Sequence, residues 1–277
     1  MKAVLFASTI VLGFALASGS ASAADLMPLK APPAPYYPWS GCYIDGGLGY
    51  GMWNIDHYDE IETAGGPWTA TSATSTSGGR GWLGRVGAGC DYQVNSSWVI
   101  GVFGDYDFMN LNGVMQAGNV TPVVGNVNED NAWAVGARIG YLITPKLMGF
   151  VDGGYTQTHF DQINLDFDVV GSPSAGLALP AQTYKGWFLG GGYEYGLWDI
   201  VPIRGLFWRT EYRFSQYDGA DLAAFFTSTG APFCGAAGGI FAAAAPTICG
   251  GEHMQPYVQT VTTGIVWKFN FGGPMHP

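Results

Sequence analysis

The chain has little charge for its size. Only 12% of its 277 residues are Asp, Glu, Lys or Arg, whereas an ordinary soluble domain has about 25%. The 11 Lys and Arg against 21 Asp and Glu give a formal net charge of −10, so nucleic acid is not an expected partner. Aromatic residues make up 15% of the chain, which argues against disorder. Little charge together with many aromatic residues favours a β-barrel in a membrane.

Long hydrophobic runs are also absent after the N-terminus. Lys2, an apolar run over residues 3–17 and the small residues Ala21-Ser22-Ala23 predict a signal peptide over residues 1–23. No later segment approaches the roughly 18 consecutive apolar residues of a transmembrane helix. Five prolines predict an extended periplasmic arm over residues 24–38, because proline is excluded from helix interiors and central strands. The mature chain is therefore expected in the periplasm, the outer membrane or the medium.

No catalytic, cofactor-binding or metal-binding residues are predicted. The four histidines show neither i, i+4 pairing nor a Cys partner at a zinc spacing: His57, His159, His253 and His276. A hydrolase triad would need Ser or Cys near His and an acid. The serine-rich residues 72–77 share a predicted loop with His57 and Asp59, but this combination is generic and indicates solvated loop residues. The chain is therefore not expected to be an enzyme.

Apolar residues alternate with polar or small residues along much of the chain. In the last such segment, Val261, Ile265 and Trp267 fall on one face, and Thr262, Gly264 and Lys268 on the other. A period of two is typical of a strand with one apolar face. Eight segments show it, at about 39–54, 80–92, 98–108, 131–143, 146–157, 184–197, 205–216 and 257–271.

The connections between these segments alternate in length. Short links are expected at 95–97, 144–145 and 198–202, and long ones at 54–79, 109–130, 158–183 and 217–256. Short turns on one side and long loops on the other are typical of outer-membrane barrels. The predicted fold is all-β: an eight-stranded antiparallel up-and-down transmembrane β-barrel over residues 39–271, with short periplasmic turns, four long extracellular loops and a short tail over 272–277.

Charged residues fall on the faces opposite the apolar ones. A charge facing lipid at the midplane costs about 2–4 kcal/mol, so this segregation predicts a lipid-facing exterior and a charged interior. Neighbouring strands then bring opposite charges together. The predicted interior network contains Arg85, Asp105, Asp107, Arg138, Asp152, Glu194, Arg209, Glu211 and Arg213. It could form a water-lined path for ions or a plug of ion pairs, and the small number of strands favours the plug.

Three motifs resemble one protein family. They are P-Y-Y-P-W-S-G-C-Y-I-D-G-G-L-G-Y-G at Pro35–Gly51, G-W-F-L-G-G-G-Y-E-Y at Gly186–Tyr195 and R-T-E-Y-R-F at Arg209–Phe214. The chain is similar here to the small outer-membrane β-barrel proteins of α-proteobacteria, which include immunogenic and porin-like surface proteins and are distantly similar to the OmpA membrane domain. The resemblance implies location in the bacterial outer membrane and contact with its lipid. It also implies recognition of the last strand by the outer-membrane assembly machinery.

The four cysteines suggest two disulfides in an oxidising compartment. Cys234 and Cys249 share one predicted loop, and an antiparallel pairing of the first two strands makes Cys42 and Cys90 near neighbours. For Cys42 and Cys90, the alternative to a disulfide is two small apolar side chains that face lipid.

Two functions are consistent with these features. The first is a structural barrel that contributes to envelope integrity, with weak porin-like passage of small solutes as a further property. The alternative is a surface receptor or adhesin whose long loops bind a ligand such as haem or a host molecule. The apolar segment 220–251 predicts either a self-packed cap or contact with a protein or lipid partner.

Overall fold

Antiparallel strands make up the regular structure. The computed structural model describes residues 39–63, 66–118, 122–168, 174–234 and 248–269, and the predicted signal peptide, arm and tail lie outside them. Within these ranges, no helix has the length and apolar character to cross a membrane. The strands are β1 (Gly41–Thr63), β2 (Trp68–Ala70), β3 (Ser75–Gln93), β4 (Trp98–Ala117), β5 (Val123–Thr144), β6 (Leu147–Phe160), β7 (Ile163–Phe167), β8 (Ser174–Leu179), β9 (Gln182–Gly196), β10 (Leu206–Tyr217), β11 (Ala220–Ala223), β12 (Phe225–Phe226) and β13 (Ile248–Phe269).

Eight of these strands pair in a ring. Their order is β1, β3, β4, β5, β6, β9, β10 and β13, and β13 pairs back with β1. Each of the eight predicted segments overlaps one ring strand. The other five strands, β2, β7, β8, β11 and β12, lie in the connections that were predicted to be long. The all-β antiparallel fold predicted from the sequence is confirmed.

The ring strands are longer than predicted. β1 continues to Thr63 rather than Asn54, and β13 begins at Ile248 rather than Tyr257. With a rise of about 3.3 Å per residue, strands of this length far exceed an apolar band about 25 Å tall. We call the part beyond the band the extension; its described residues are 53–63, 66–80, 109–118, 122–130, 157–168, 174–185, 216–234 and 248–258. Much of what was predicted as loop is therefore strand.

The apolar face of the strands changes sides where the extension begins. Below this point in β1, Ile44 and Leu48 point outward and are 51% and 69% exposed. Beyond it, Trp53 and Ile55 point inward and are fully buried, while Asn54 is exposed. The period of two continues without interruption, but the outward residues change from apolar to polar and the inward residues from charged to apolar. A prediction based on outward apolar residues consequently ends the strand too early.

The outer face of the ring below the extension is apolar. Tyr50 and Trp82 contact each other near the extension, with ring centroids 5.2 Å apart, and Trp98 and Tyr141 do so near the short turns, at 5.1 Å. Exposed aliphatic residues between these levels include Ile44, Leu48, Val86, Ile100, Val102, Val135, Ile139, Val151, Leu189, Val261 and Ile265. Such a surface suits lipid, with aromatic residues at both interfaces.

Three layers of side chains fill the ring. Near the short turns, Trp39, Tyr43 and Phe207 belong to a small apolar cluster. The charged residues lie above it. In the extension, a larger apolar cluster includes Trp53, Leu111, Phe160, Ile163, Leu165, Leu177, Leu179, Tyr184, Leu222, Phe233 and Met254. The charged layer is thus enclosed between two apolar layers.

Candidate functional site

The charged layer is positioned by strand alternation. Inward positions alternate with lipid-facing ones, so Arg85 lies inside while its neighbour Val86 is 50% exposed. All nine predicted members of the network lie inside the ring and are buried or half-buried. The structure brings eight of them into ion pairs with one another or with other interior charges.

Two arginines share one carboxylate in the upper half of the layer. Arg85 donates through Nε and Nη2 to the two carboxylate oxygens of Asp107, at 2.7 and 2.8 Å. Arg213 also forms a bidentate pair: its Nη1 and Nη2 donate to Oδ1 and Oδ2 of Asp105, at 2.9 and 2.8 Å. Glu211 Oε1 accepts from both arginines, at 3.0 Å in each case. Because paired hydrogen bonds between guanidinium and carboxylate are strong and directional, these five side chains hold one another in place.

Glu194 is the centre of the lower half. Its Oε2 accepts from Arg138 at 3.2 Å and from Arg209 at 3.1 Å, and its Oε1 lies 2.7 Å from Lys268 Nζ. Asp91 accepts from Arg138 through both oxygens and from Lys268 at 2.8 Å. Arg209 also donates to Asp45 Oδ2 at 3.2 Å, so three acids balance three bases in this half of the layer. An unpaired charge at such a buried position would be far more costly.

Asp152 is the exception among the predicted residues. It is buried, and it lies opposite Arg138 in the β5–β6 register. The Arg138 guanidinium, however, turns to Asp91 and Glu194. Asp152 consequently takes part in none of the ion pairs of the described chain, and its Oδ1 has no hydrogen-bond partner there. Asp152 therefore lies inside the barrel beside the network, as predicted, but does not form the predicted ion pair.

Two small cavities adjoin the charged layer. A cavity of about 20 Å³ lies beside Asp45, Arg85, Asp105, Arg209 and Glu211. A second, of about 10 Å³, lies above it beside Asp107, Thr156 and Tyr217. A cavity needs about 10–15 Å³ to hold one water molecule. Neither is large enough to form a continuous aqueous path.

The extension contains a buried hydrogen-bonded chain of Ser77, His57 and Glu252. His57 Nδ1 lies 2.6 Å from Glu252 Oε1, and His57 Nε2 lies 2.8 Å from Ser77 Oγ. Hydroxyl, imidazole and carboxyl follow the order found in hydrolase triads. However, burial lowers the pKa of His57. The pKa of Glu252 is raised, mainly by burial and secondly by the nearby charge of Asp59. Both groups thus favour their uncharged forms, unlike the charged acid that supports a catalytic imidazole.

The histidines predicted to lie in solvated loops lie in strands instead. His57 is in β1, His159 in β6 and His253 in β13, and His57 is only 2% exposed. The cause is again the continuation of the ring strands into the extension. His276 lies outside the described residues.

A further buried acid, Glu129, lies in the extension near the band. Its side chain is fully buried on β5, and Thr158 Oγ1 donates to its Oε1 at 2.6 Å. Burial raises the pKa of Glu129 to about 8. This carboxyl therefore holds its proton at a pH where an exposed glutamate has lost it.

Two curated relatives carry the same name. The 31 kDa outer-membrane immunogenic protein of Brucella melitensis biotype 1 is 28% identical over 205 residues, which cover 71% of this chain and 81% of the relative. The protein of that name from Brucella suis biovar 1 gives the same figures. This chain is an outer-membrane β-barrel protein. No protein-family model matches it.

Solved structures of other barrels are similar at low identity. OprG from Pseudomonas aeruginosa is 12% identical, and the match covers 83% of this chain and 97% of OprG, with a TM-score of 0.47. Ail, the attachment invasion locus protein of Yersinia pestis, is 13% identical, and the match covers 80% of this chain and 99% of Ail, with a TM-score of 0.32.

Both predicted cysteine pairs of the barrel are disulfides in the structure. Cys42 and Cys90 are direct partners in the β1–β3 register, on the outer face near the short turns. Cys234 and Cys249 join the segment after β12 to β13 in the extension. Leu222, Ala224 and Phe233, from the described part of segment 220–251, pack into the apolar cluster of the extension. This packing is that of a cap; contact of the segment with a partner stays a prediction.

Sequence reasoning placed some residues inside the barrel without assigning their contacts. Strand alternation places Asp45, Asp91 and Lys268 inside. In the structure, each forms ion pairs within the charged layer. Tyr43 was missed altogether; the guanidinium of Arg209 lies 4.7 Å from its ring centroid. The available signal was its position next to Ile44: adjacent residues of a strand point to opposite faces, so an outward Ile44 places Tyr43 inside.

Proposed function

We propose that this barrel is a non-enzymatic structural protein of the outer membrane, with a closed lumen, that contributes to envelope integrity. One observation carries the proposal: the charged layer and the apolar cluster of the extension lie in series within the same ring. Every basic residue of the charged layer is ion-paired: Arg85, Arg138, Arg209, Arg213 and Lys268.

The energetics of the two layers favour a closed lumen. The interior of an eight-stranded barrel is just wide enough for side chains to fill. A passing ion would have to separate buried ion pairs. Each buried charge that is left without its partner costs several kcal/mol. It would then have to open an apolar cluster that offers no hydration. Weak porin-like passage would require both layers to open together.

Conductance measurements test this proposal. The full mature chain, refolded in detergent, would be added to a planar lipid bilayer, with a general porin in parallel as the reconstitution control. We expect no stepwise current from the barrel at voltages where the porin conducts. A heat-dependent shift in gel mobility would verify that the sample is folded. Reproducible ohmic steps from folded protein, absent after heat denaturation, would contradict a closed lumen.

The extension supports a second candidate function, that of a surface receptor or adhesin. Connecting adjacent strands needs only a few residues, yet here ordered strands with their own core continue beyond the band. Such a platform can present loops to haem or to a host molecule. The test replaces residues 217–256 by a short turn and titrates haemin by absorbance. Lost binding by a shortened chain that still shows the heat-dependent gel-mobility shift would support this candidate; equal titrations of both chains would reject haem as its ligand.

A further inference from the structure

Three side chains of types that bind metals lie close together on the extension, each on a different one of three adjacent strands. Glu60 lies on β1, His253 on β13 and Asp221 on β11. Asp221 is directly opposite His253 in the β11–β13 register, and Tyr58, two residues before Glu60, is opposite His253 in the β1–β13 register. One potential ligand atom from each of the three side chains lies within 4.8 Å of the other two.

The orientation of the imidazole is fixed. Its ring stacks on Tyr58, with centroids 4.7 Å apart and planes inclined by 9°. Its Nε2 edge lies against Gly219, where an added Cβ would be only 2.5 Å away. Its Nδ1 faces the acids and lies 2.5 Å from Asp221 Oδ1. The imidazole therefore presents one nitrogen to the carboxylates and has the other covered by backbone.

Glu60 supplies the independent indication of a ligand. Its side chain is only 2% exposed, and its Oε1 is buried without a hydrogen-bond partner among the described residues. A buried carboxylate oxygen without a partner is costly. Within the described ranges, no Lys or Arg forms an ion pair with Glu60 or Asp221. Two acids thus converge on one imidazole, and a cation would satisfy the oxygen left over.

We propose that Glu60, Asp221 and His253 bind a first-row divalent cation such as Zn²⁺. One imidazole with two carboxylates suits Zn²⁺ or its neighbours, whereas Mg²⁺ and Ca²⁺ prefer oxygen ligands alone. Zn–N and Zn–O bonds are about 2.0–2.2 Å long. Ligand atoms within 4.8 Å of one another reach a common ion after small side-chain shifts. To bind the ion through Nδ1, the imidazole must carry no proton on that nitrogen, so bonds to the ion replace the His253–Asp221 hydrogen bond.

A bound cation would fasten the β11 segment to the ring. Asp221 belongs to a strand of four residues, whereas Glu60 and His253 belong to strands of 23 and 22 residues. Because the ion binds only the folded arrangement, it should raise the unfolding temperature of the extension with metal concentration.

A second group provides a matched control. Asp130, His159 and Asp161 have the same residue types and the same proximity. There, however, neutral side chains satisfy each member: Asn131 donates to Asp130 at 2.7 Å and Asn128 to Asp161 at 2.6 Å, while His159 contacts Thr183 at 3.0 Å. We therefore expect no comparable binding at this group.

The experiment uses the full mature chain without a histidine tag, refolded in detergent. Calorimetric titration with ZnCl₂ should show one site per chain, and MgCl₂ at the same concentrations should give no heat. His253→Gln and Asp221→Asn should each weaken Zn²⁺ binding at least tenfold. His159→Gln should bind like the wild type.

Folding and binding can be separated. The Asp221 side chain is 40% exposed, so Asp221→Asn should fold even if His253→Gln does not. The gel-mobility shift would verify folding of each variant. Wild-type affinity in folded Asp221→Asn would overturn the site. If only His159→Gln lost binding, the metal would be assigned to Asp130, His159 and Asp161 instead. If the wild type gave no heat with millimolar Zn²⁺, the proposal would be excluded.

Discussion

Glu211 is the residue on which two arginines of the charged layer depend. Substituting Glu211 by Gln removes the charge that Oε1 offers to Arg85 and Arg213, each at 3.0 Å. Removing one partner from a buried ion pair typically costs about 3–5 kcal/mol. We expect a loss near the lower end, about 3 kcal/mol, because both arginines keep an aspartate. Equilibrium urea unfolding in lipid vesicles measures it.

Asp152→Asn is the control for Glu211→Gln. Asp152 is equally buried but takes part in none of the ion pairs, so its substitution should cost less than about 1 kcal/mol. Equal losses for the two variants would show that burial, rather than ion pairing, determines the energetics of the layer.

Glu129 should make stability fall as pH rises. Burial raises the pKa of this carboxyl to about 8 in the folded barrel, while the unfolded chain has an ordinary value of about 4.3. Between these values the folded state binds more protons than the unfolded state, so the free energy of unfolding decreases with pH by up to about 1.4 kcal/mol per unit. The contribution is intact below pH 4 and lost above pH 8. Glu129→Gln should lose less stability than the wild type between pH 5 and pH 8.

Ser77 offers a test of the non-enzymatic proposal. The hydroxyl contacts an imidazole that is only 2% exposed and that favours its uncharged form. A serine nucleophile needs a base that can accept its proton and remain charged in the transition state. We expect no mass increase at Ser77 after incubation of the folded chain with a fluorophosphonate. Labelling that disappears in His57→Gln would demonstrate an activated serine.

At the scale of strands, the sequence predicts side-chain direction better than strand length. Parity alone placed Arg85, Arg138 and Glu194 inside the ring, because a strand has only two faces. The pairing of Cys42 with Cys90 followed from the same antiparallel geometry. The extension was missed because Trp53 and Ile55 reverse the apolar face. Parity also could not say which acid a long arginine reaches, so it could not exclude Asp152. The Glu60–Asp221–His253 group joins three strands and has no sequence spacing to reveal it.

Trp53→Ala tests whether the extension has a core of its own. The Trp53 ring is fully buried, and its Nε1 donates to Leu111 O at 3.0 Å. Replacing a buried tryptophan by alanine costs about 3–5 kcal/mol. Its neighbour Met52 is 45% exposed on the outer face, and Met52→Ala should cost much less. Limited proteolysis of intact vesicles would locate the effect: new cleavage sites should lie in the extension, while the segments within the band stay protected.

At the scale of the whole molecule, the layers of the interior match the surroundings of the barrel. The charged layer lies at the level of the apolar outer surface, and the larger apolar cluster, with a few buried polar groups such as His57 and Glu252, lies at the level of the extension. The apolar surface below the extension therefore faces lipid and the polar surface of the extension faces water. One uninterrupted set of strands serves both environments, because only the identity of inward and outward residues changes along it.

The two disulfides should stabilise this fold unequally. Their cysteines are separated by 48 residues for Cys42–Cys90 and by 15 for Cys234–Cys249. In the chain-entropy description, cross-links of these lengths restrict the unfolded chain by about 4 and about 3 kcal/mol. Double substitution to Ser should therefore lower the free energy of unfolding more for Cys42/Cys90 than for Cys234/Cys249. Urea unfolding of both variants under oxidising conditions measures the difference. The opposite order would mean that the unfolded chain is not the state on which these bonds act, and that Cys234–Cys249 instead stabilises the folded cap.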